Sequence, residues 1–198
     1  MKRGLAGVLC ALAIAGALSA CSTGAAPTPA QNSAVTTPQP SLAGEWVLTR
    51  TVTASDDTSD AERAVDATST RFLLIEQTDC GALGCPGTVS SGAAIDARDS
   101  TEFEQVDGGL GYTFTGALNC LRQDGGAVLA VDAFTFSQTA DLAVVETADL
   151  DGVLTATLLE GTISYTDTLT TSAMEQGCSR DPATVTVKYA VSARRADR

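Results

Sequence analysis

From residue 41 onwards, hydrophobic and polar residues alternate in short runs that are typical of β-strands. In the first run, 45–53, Trp46, Leu48 and Val52 fall on one face of an extended chain and threonines on the other. A second run, 71–78, has a continuous hydrophobic middle, which predicts a strand buried on both faces. Further strands are predicted at 101–106, 111–119, 127–137, 142–148, 153–159, 162–168 and 183–193.

Asp-Gly pairs separate several of these runs and predict tight hairpin turns, because they supply the positive φ angles that such turns need. They occur at 107–108, 124–125 and 151–152, and Glu160-Gly161 is a weaker fourth case. None of the runs shows sustained helical spacing. About nine or ten short strands at regular intervals predict an all-β domain, an antiparallel β-barrel of about 8–10 strands, with a β-sandwich as the alternative.

A strongly polar segment, 55–70, separates the first two runs. Within it, Ser59-Asp60-Ala61-Glu62 has the spacing of a capping box. The spacing predicts one or two helical turns through Val65, and a disordered loop is the alternative.

The first twenty residues have a different pattern. Lys2 and Arg3 are followed by an uncharged apolar run from Gly4 to Leu18. This is the length of the apolar region of a signal peptide, and it is shorter than the roughly 20 residues of a membrane-spanning helix. We predict that residues 1–20 are a signal peptide.

The sequence Leu18-Ser19-Ala20-Cys21 resembles the lipobox of bacterial surface lipoproteins. In that family the cysteine thiol carries diacylglycerol and the chain is cut just before it. The resemblance implies acyl chains such as palmitate on Cys21, and an anchor on the extracytoplasmic face of the cell membrane, or of the outer membrane if the host has one. Ordinary secretory cleavage, which leaves Cys21 free, is the alternative.

Residues 21–40 are rich in Pro, Thr and Ala, with Val35 as the one clear hydrophobe after Cys21. This composition predicts an extended tether, followed by a single β domain at 41–198. The combination of lipobox, Thr/Pro tether and β domain also resembles uncharacterised surface lipoproteins of high-GC bacteria, a likeness that implies no known activity. We expect a monomer.

Removing residues 1–20 leaves ten basic side chains against twenty-four acidic ones. Such a surface repels phosphates, so nucleic acid is not expected as a partner, nor is peripheral binding to anionic lipids. The membrane is expected as a partner only through the lipid anchor.

Four cysteines come after the lipobox: Cys80, Cys85, Cys120 and Cys178. An even number in an exported chain predicts disulfides, and four cysteines allow three pairings. The short Gly-Ala-Leu-Gly spacing favours a clasp between Cys80 and Cys85, which leaves Cys120 with Cys178. Because the chain has no histidine, no metal site is predicted.

The chain carries no catalytic motif. Without histidine there is neither a Ser-His nor a Cys-His pair, and no G-x-S-x-G sequence occurs. A pair of carboxylates that hydrolyses sugars is the enzyme class that remains open. We expect a non-catalytic protein with no cofactor other than the lipid on Cys21.

The sequence Gly44-Glu45-Trp46 resembles the G-x-W signature of lipocalin-type barrels, in which the tryptophan plugs one end and a late arginine lies across it. This likeness implies that Arg195, which has the parity of the last strand's hydrophobic face, lies over Trp46. The simpler interpretation of Trp46 is a core aromatic residue.

These patterns leave two function classes. In the first, the barrel holds an apolar or amphiphilic small molecule near the membrane, with the polar segment 55–70 as its lid. In the second, a β domain without a cavity recognises another envelope protein or a polymer through its loops.

Overall fold

The structure is a computed structural model that describes residues 39–58, 60–78, 85–93, 99–106, 108–122 and 127–196, apart from the side chains of Glu104 and Val106. The strands are β1 (Gly44–Ser55), β2 (Thr68–Gln77), β3 (Pro86–Gly92), β4 (Asp99–Val106), β5 (Gly109–Leu121), β6 (Val128–Leu150), β7 (Val153–Leu169) and β8 (Thr184–Arg195). The helical segments are a single 3₁₀ turn at Ala61–Arg63 and a short helix, α1, at Thr171–Glu175.

Each strand pairs in antiparallel fashion with the next, and β8 pairs with β1 to close the sheet into a barrel. In this register, Trp46 on β1 lies opposite Arg195 on β8 and Leu73 on β2. The predicted antiparallel barrel is confirmed, and the alternative of a β-sandwich is wrong. Pairing is weakest between β4 and β5, which are joined at three residue pairs in the described part of the chain.

The described strands differ from the predicted runs in two ways: β3 was not among the predicted strands, and β6 and β7 are each continuous across two predicted runs. β6 spans 23 residues and β7 spans 17, so the predicted breaks within them are wrong. Gly161 is not a turn residue: it pairs with Leu142 and Val191, and a Cβ there would collide with the carbonyl oxygen of Asp141. The glycine therefore permits a close approach of two strands rather than a change of direction.

The hairpin between β6 and β7 turns where predicted. Asp151 and Gly152 have φ angles of 57° and 83°, and the Asp149 carboxylate accepts a hydrogen bond from the Gly152 amide at 2.7 Å. Gly108, with φ of 80°, comes after β4, at the turn predicted at 107–108. The turn predicted at 124–125 lies outside the described residues.

The polar segment forms less helix than its sequence spacing suggests. Among its described residues the one helical element is the 3₁₀ turn, in which the Asp60 carboxylate accepts a hydrogen bond from the Glu62 amide at 2.8 Å. Asp60 is therefore the capping residue, and Ser59 lies outside the described residues.

The barrel interior is packed with hydrophobic side chains over the half that contains the start of β1. Alternate residues of every strand point inwards, as the period of an extended chain requires. Each such side chain contributes about 1.5–3 kcal/mol when fully buried. The fully buried set includes Leu42, Trp46, Leu48, Leu73, Ile75, Val89, Leu110, Leu142, Leu159 and Ile163.

The segment before β1 closes this end of the barrel, which we call the closed end. Ser41 forms a parallel bridge with Thr155 of β7, and the Leu42 side chain is fully buried. The indole Nε1 of Trp46 donates a hydrogen bond to the Leu42 carbonyl at 3.0 Å. These contacts hold the segment before β1 as a plug in the closed end. The segment begins next to the predicted tether.

Two glutamine side chains complete the closed end. Gln77 Oε1 accepts from the Leu42 amide at 2.6 Å, and its Nε2 donates to Gln105 Oε1 at 2.9 Å. Gln105, only 1% exposed, donates through Nε2 to the Pro40 carbonyl at 2.9 Å. These amides satisfy backbone groups that burial would otherwise leave without partners.

The opposite end, which we call the mouth, carries a disulfide. β5 and β6 extend beyond the barrel there, and Cys120 on β5 is bonded to Cys178, which lies after α1, with a Cα–Cα distance of 6.4 Å. The predicted pairing of these two cysteines is confirmed. Cys85 is buried before β3, and Cys80 lies outside the described residues, so the other predicted pair stays a prediction.

No helix among the described residues is long and apolar enough to cross a membrane.

Candidate functional site

The predicted barrel-end pair, Trp46 and Arg195, lies at the closed end. The two residues are direct cross-strand partners. The Arg195 guanidinium packs against Gly44, where a Cβ would lie 2.7 Å from Nη2. The cation–π contacts found among the described residues join other pairs: Arg50 with Tyr189, Arg63 with Tyr165, and Arg180 with Phe134. The register brings Trp46 and Arg195 together as cross-strand neighbours. The Arg195 guanidinium covers Gly44, two residues before the tryptophan.

Two adjoining cavities of about 460 and 300 Å³ occupy the mouth, and together we call them the mouth cavity. Both are lined by Arg50, Arg71, Asp99, Phe136 and Gln138. The walls of the larger one are completed mainly by apolar and small residues: Leu48, Ser91, Gly92, Ala93, Phe114 and Ile163.

Two arginines project from the inner face of the barrel into this cavity. Arg50 has the parity of Leu48 and Val52 on β1, and Arg71 has the parity of Leu73 on β2. Ten basic side chains come after the predicted signal peptide, and Arg50, Arg63 and Arg71 all line the mouth cavity. The lining of the mouth cavity therefore carries three of these cations, beside three carboxylates, those of Asp60, Glu62 and Asp99.

Arg50 is held in place by neutral partners. Its Nε donates a hydrogen bond to the Ser69 hydroxyl at 2.7 Å, and its guanidinium lies 4.6 Å from the centre of the Tyr189 ring. Burial lowers the pKa of Arg50 from its ordinary value, and the positive charges of Arg71 and Arg63 act in the same direction. The guanidinium remains charged at any physiological pH.

Acidic residues are present around the mouth cavity, but in the described part of the chain they form no ion pair with Arg50 or Arg71. Asp99 lines both parts of the cavity, and Asp60 and Glu62 line the smaller part. Arg71 donates to the Thr70 carbonyl at 3.1 Å. Among the described residues, the two arginines are thus oriented without a carboxylate within ion-pair distance.

Arg63 differs from them because it is paired with the buried carboxylate of Asp167. The Arg63 Nη1 to Asp167 Oδ2 distance is 3.1 Å, and Arg180 Nη1 lies 2.5 Å from Asp167 Oδ1. Burial opposes the charge of Arg63, but the hydrogen bond to Asp167 and the nearby charges of Asp167, Tyr165 and Asp57 together raise the pKa of Arg63. Asp167 therefore ties the polar segment and the β7–β8 connection to the barrel rim.

Tyr165 belongs to the same cluster. Its hydroxyl donates a hydrogen bond to Asp167 Oδ2 at 3.0 Å, and its ring stacks on Phe136 with centres 5.9 Å apart. Burial, reinforced by the charge of Asp167, raises the pKa of Tyr165 to about 12. The phenol therefore stays protonated and donates a hydrogen bond across the neutral pH range.

Tyr112 is a buried polar residue without a partner among the described residues. The side chain is 4% exposed, and its hydroxyl makes no hydrogen bond with any residue that the structure describes. Burial raises the pKa of the phenol well above its usual range, while the positive charge of Arg50 acts in the opposite direction. The Tyr112 ring meets Phe114, a wall of the mouth cavity, edge to face at 5.2 Å.

An open groove of about 730 Å³ crosses β3 to β6, where β4 and β5 stop pairing. The inward-facing residues Phe103 and Tyr112 form part of its lining. The Thr101 hydroxyl donates to the Thr113 carbonyl at 3.1 Å across this seam. The groove therefore reaches interior side chains from the flank of the barrel.

Sequence reasoning missed the arginines of the mouth, although a signal for them was present. Arg50 and Arg71 each have the parity of their strand's buried residues, so the strict period of two already places both on the inner face. The predicted lipid acceptor, Cys21, lies outside the described residues. No group of three or more acidic or cysteine side chains that would hold a metal ion occurs among the described residues.

The mouth cavity can accommodate a small molecule. Its described residues include scattered carboxylates, but these form no recognisable catalytic arrangement. Cationic donors on one wall and aromatic rings on another suit a ligand with one anionic and one apolar part. Comparison with protein-family models, with curated proteins and with solved structures finds no match for this chain.

Proposed function

We propose that this protein is a membrane-anchored extracytoplasmic lipoprotein whose barrel is a non-catalytic binding module for an amphiphilic small molecule. The observation that carries the proposal is the mouth cavity, in which Arg50 and Arg71 face the rings of Phe114 and Phe136. The larger part, at about 460 Å³, has the size of small-molecule sites, which are usually about 300–1,000 Å³. The proposal narrows the expectation of an apolar or amphiphilic ligand, since a purely apolar molecule would leave the arginines desolvated.

The packed half of the barrel supports a site confined to the mouth. Leu48 and Ile163 are buried at the floor of the cavity, and below them the fully buried side chains continue to Leu42. A ligand therefore rests on this floor and does not run through the barrel. Entry takes place from the mouth.

The position of the polar segment supports a role as the lid. Asp60, Glu62 and Arg63 line the smaller part of the mouth cavity, and the segment is fastened to the barrel through the Arg63–Asp167 ion pair. We expect amides of this segment to exchange more slowly with deuterium when ligand is bound.

Binding is tested on the chain from Ser22 onwards, which keeps every residue that the structure describes. Native mass spectrometry of this chain, purified without detergent and mixed with bacterial lipid extract, is expected to show an added mass. Ser91→Trp places an indole in the cavity and should abolish the added mass. Ser90→Trp, on the opposite face of the same strand, is the matched control and should retain it.

A chain that stays free of added mass, with no protection of the polar segment, contradicts the binding proposal. Retention of the added mass by Ser91→Trp contradicts its location.

The anchor has a separate test. Cys21→Ala should leave an uncleaved precursor, because the thiol that accepts diacylglycerol is absent. Mass spectrometry of the N-terminal peptide of the wild-type protein should show an acylated Cys21. A mature protein with a free thiol at Cys21 contradicts the anchor and leaves the binding proposal untouched.

One observation favours the second function, recognition of an envelope protein. The β5–β6 extension exposes apolar side chains beside the mouth: Leu118, Leu121, Val128 and Val131. Leu121→Ser/Val128→Ser changes a cross-strand pair on this extension. Loss of a crosslinked envelope partner in this variant, with ligand binding intact, is the result that supports this function.

A further inference from the structure

We propose that the free edge of β5 is a docking site for an extended segment of another polypeptide, which adds to the barrel as a further strand. The segment is free of acidic residues and has apolar side chains at alternate positions. This inference rests on the second function proposed above, recognition of an envelope protein, and names the chemistry of that partner. It does not depend on the small molecule proposed for the mouth cavity.

The edge of β5 that faces β4 is unpaired over most of its length in the described part of the chain. β4 and β5 pair only near their connection, at Glu104 with Gly111, Gln105 with Leu110, and Val106 with Gly109. Continuing this register would place Ser100 opposite Thr115, but Ser100 pairs with β3 alone. One side-chain contact bridges the two strands, from the Thr101 hydroxyl to the Thr113 carbonyl at 3.1 Å. From this contact towards the mouth, the strands part.

A slot of about 400 Å³ lies where the strands part. Consecutive residues of both strands line it, 99–101 of β4 and 113–118 of β5. Because the side chains of consecutive residues alternate between the two faces of a sheet, a void that all of them line lies in the plane of the sheet, between the two strand edges. An occupant of this slot therefore meets the main-chain N–H and C=O groups of those edges.

The main chain of β5 indicates which residues present these groups. In an antiparallel strand the N–H and C=O of one residue point to the same side, and successive residues alternate between the two neighbouring strands. Thr113 turns its carbonyl towards β4, so Thr115 and Ala117 turn their main-chain groups to the same, open side. Such a row of donors and acceptors binds an extended peptide through ladder hydrogen bonds, the mode known as β-strand addition.

The sequence of β5 leaves this edge unprotected. All 13 residues of β5 are uncharged, whereas proteins commonly block their edge strands with charged side chains or proline. The other edge of the same hairpin is covered: the Thr170 amide donates to the Ala133 carbonyl at 2.8 Å, and Ala173 of α1 packs against β6. The Cys120–Cys178 disulfide fastens the end of β5 to that covered side. The open edge is thus held in place before a partner arrives, which lowers the entropy lost on binding.

The lining of the slot selects the chemistry of the partner. Phe114, Leu118 and Phe136 line it from the inner face of the sheet, so the side chains of an added strand that point inwards should be apolar. Among the described residues that line the slot, Asp99 is the one that carries a charge, and Glu102 lines the adjoining flank groove. Charge complementarity therefore favours a neutral or basic segment over an acidic one.

A second copy of this chain fits the edge less well than a basic segment does. After the predicted signal peptide each copy has ten basic against twenty-four acidic side chains, so two copies repel each other. The structure therefore assigns the edge to a different polypeptide.

The experiment titrates three synthetic heptapeptides into the isotope-labelled chain from Ser22 onwards and follows its amide NMR signals. Each peptide alternates threonine and valine, has blocked ends, and carries arginine, glutamine or glutamate at the central position of the valine face. We expect the signals of Thr115 and Ala117 to shift. The arginine peptide should bind about 3-fold more tightly than the glutamine peptide and about 10-fold more tightly than the glutamate peptide, since partly exposed charge pairs give factors of this size.

Two variants test the edge itself. Ala117→Pro removes a main-chain N–H that points to the open side, so the ladder with β6 is kept and the chain should fold. It should weaken binding of the arginine peptide at least about 10-fold. Ala117→Ser keeps the N–H, and as the matched control it should bind like the wild type. Asp99→Asn should abolish the preference for arginine over glutamine, a result that does not require Ala117→Pro to fold.

The outcomes separate this inference from the small-molecule function. Binding that Ala117→Pro leaves unchanged, or amide shifts confined to other strands, overturns the docking edge. Equal binding of all three peptides overturns the stated chemistry of the partner. A wild-type chain that sediments as a dimer, with Ala117→Pro as a monomer, assigns the edge to a second copy and overturns the proposed partner. If lipid extract adds mass to the protein and no peptide binds, the docking edge is wrong and the small-molecule function stands.

Discussion

Arg63 and Asp167 are joined by an ion pair of 3.1 Å that fastens the polar segment to the inner rim of β7. Asp167 is 2% exposed and holds Arg180 on its other oxygen. One carboxylate therefore links the β1–β2 and β7–β8 connections, two neighbours at the mouth that are distant in sequence.

Asp167→Asn should lower the free energy of unfolding by about 1–3 kcal/mol. Removing the charge of Asp167 leaves Arg180 without its carboxylate partner. The cost is moderated because both arginines are partly exposed and because Arg63 keeps its contacts with Asp57 and Asp60 at 3.4 Å. Urea denaturation measures the change. Glu146→Gln breaks the exposed pair with Arg194 at 4.0 Å and should change stability by less than about 0.5 kcal/mol. Equal effects of the two substitutions would contradict the role assigned to Asp167.

Alkaline pH should destabilise the protein through Tyr165. In the unfolded chain a tyrosine ionises near about pH 10, whereas the folded-state pKa of Tyr165 is raised to about 12. Between these values the unfolded state has lost a proton that the folded state keeps, so stability falls as pH rises from about 10 to 12. This group adds no pH dependence below about pH 10.

In Tyr165→Phe this alkaline loss of stability should shrink. Tyrosinate absorbance near 295 nm, followed alongside urea unfolding, measures both the titration and the stability. A tyrosine that titrates at its ordinary pKa in the wild-type protein but is absent in Tyr165→Phe is the contrary result.

The Cys120–Cys178 disulfide should contribute about 4 kcal/mol to stability in the chain-entropy model, since it closes a loop with a sequence separation of 58. Cys120→Ala/Cys178→Ala removes the bond without leaving a free thiol from this pair. Guanidinium unfolding of this variant should show a lower midpoint, and non-reduced peptide mapping of the wild type should link these two cysteines. A peptide linking Cys120 to Cys80 would refute the pairing.

Gln105→Leu should open the closed end. The substitution leaves Gln77 Nε2 and the Pro40 carbonyl without their partner, which we expect to cost about 2–3 kcal/mol. Hydrogen exchange at the Leu42 amide should become faster, because Gln77 loses the contact that orients it. Gln176→Leu, in an exposed position after α1, is the control. Unchanged exchange at Leu42 would show that the plug holds without Gln105.

The alternation of side chains predicted the barrel faces well. Val185, Val187, Tyr189 and Val191 were expected on one face of the last strand, and all four are buried in the interior. The prediction succeeds because a closed sheet has one face towards solvent and one towards the interior. Alternate residues along a strand are therefore alternately exposed and buried.

The break within β7 could not be read correctly because glycine has two structural uses. Asp151-Gly152 adopts the positive φ angles of a turn, whereas Gly161 lies in an extended strand and permits close backbone packing. A single sequence does not distinguish these uses. The arginines of the mouth were missed for another reason. Their parity places them on the inner face of the barrel, whereas charged side chains are usually exposed. The cavity shows that a side chain on the inner face need not be enclosed by the hydrophobic core.

The pairing of β1 with β8 also dictates when the barrel can form. Gly44 and Arg195 belong to strands that meet at the seam, yet almost the whole domain separates them along the chain. Contacts of such high contact order are slow to form, because the loop-closure entropy is lost before the pairing energy is gained. Until β8 is made, β1 and β7 both present open edges that invite pairing with other chains. A nascent chain is therefore most exposed to aggregation just before its last twelve-residue strand is synthesised, and a truncation that removes β8 restores that exposure permanently.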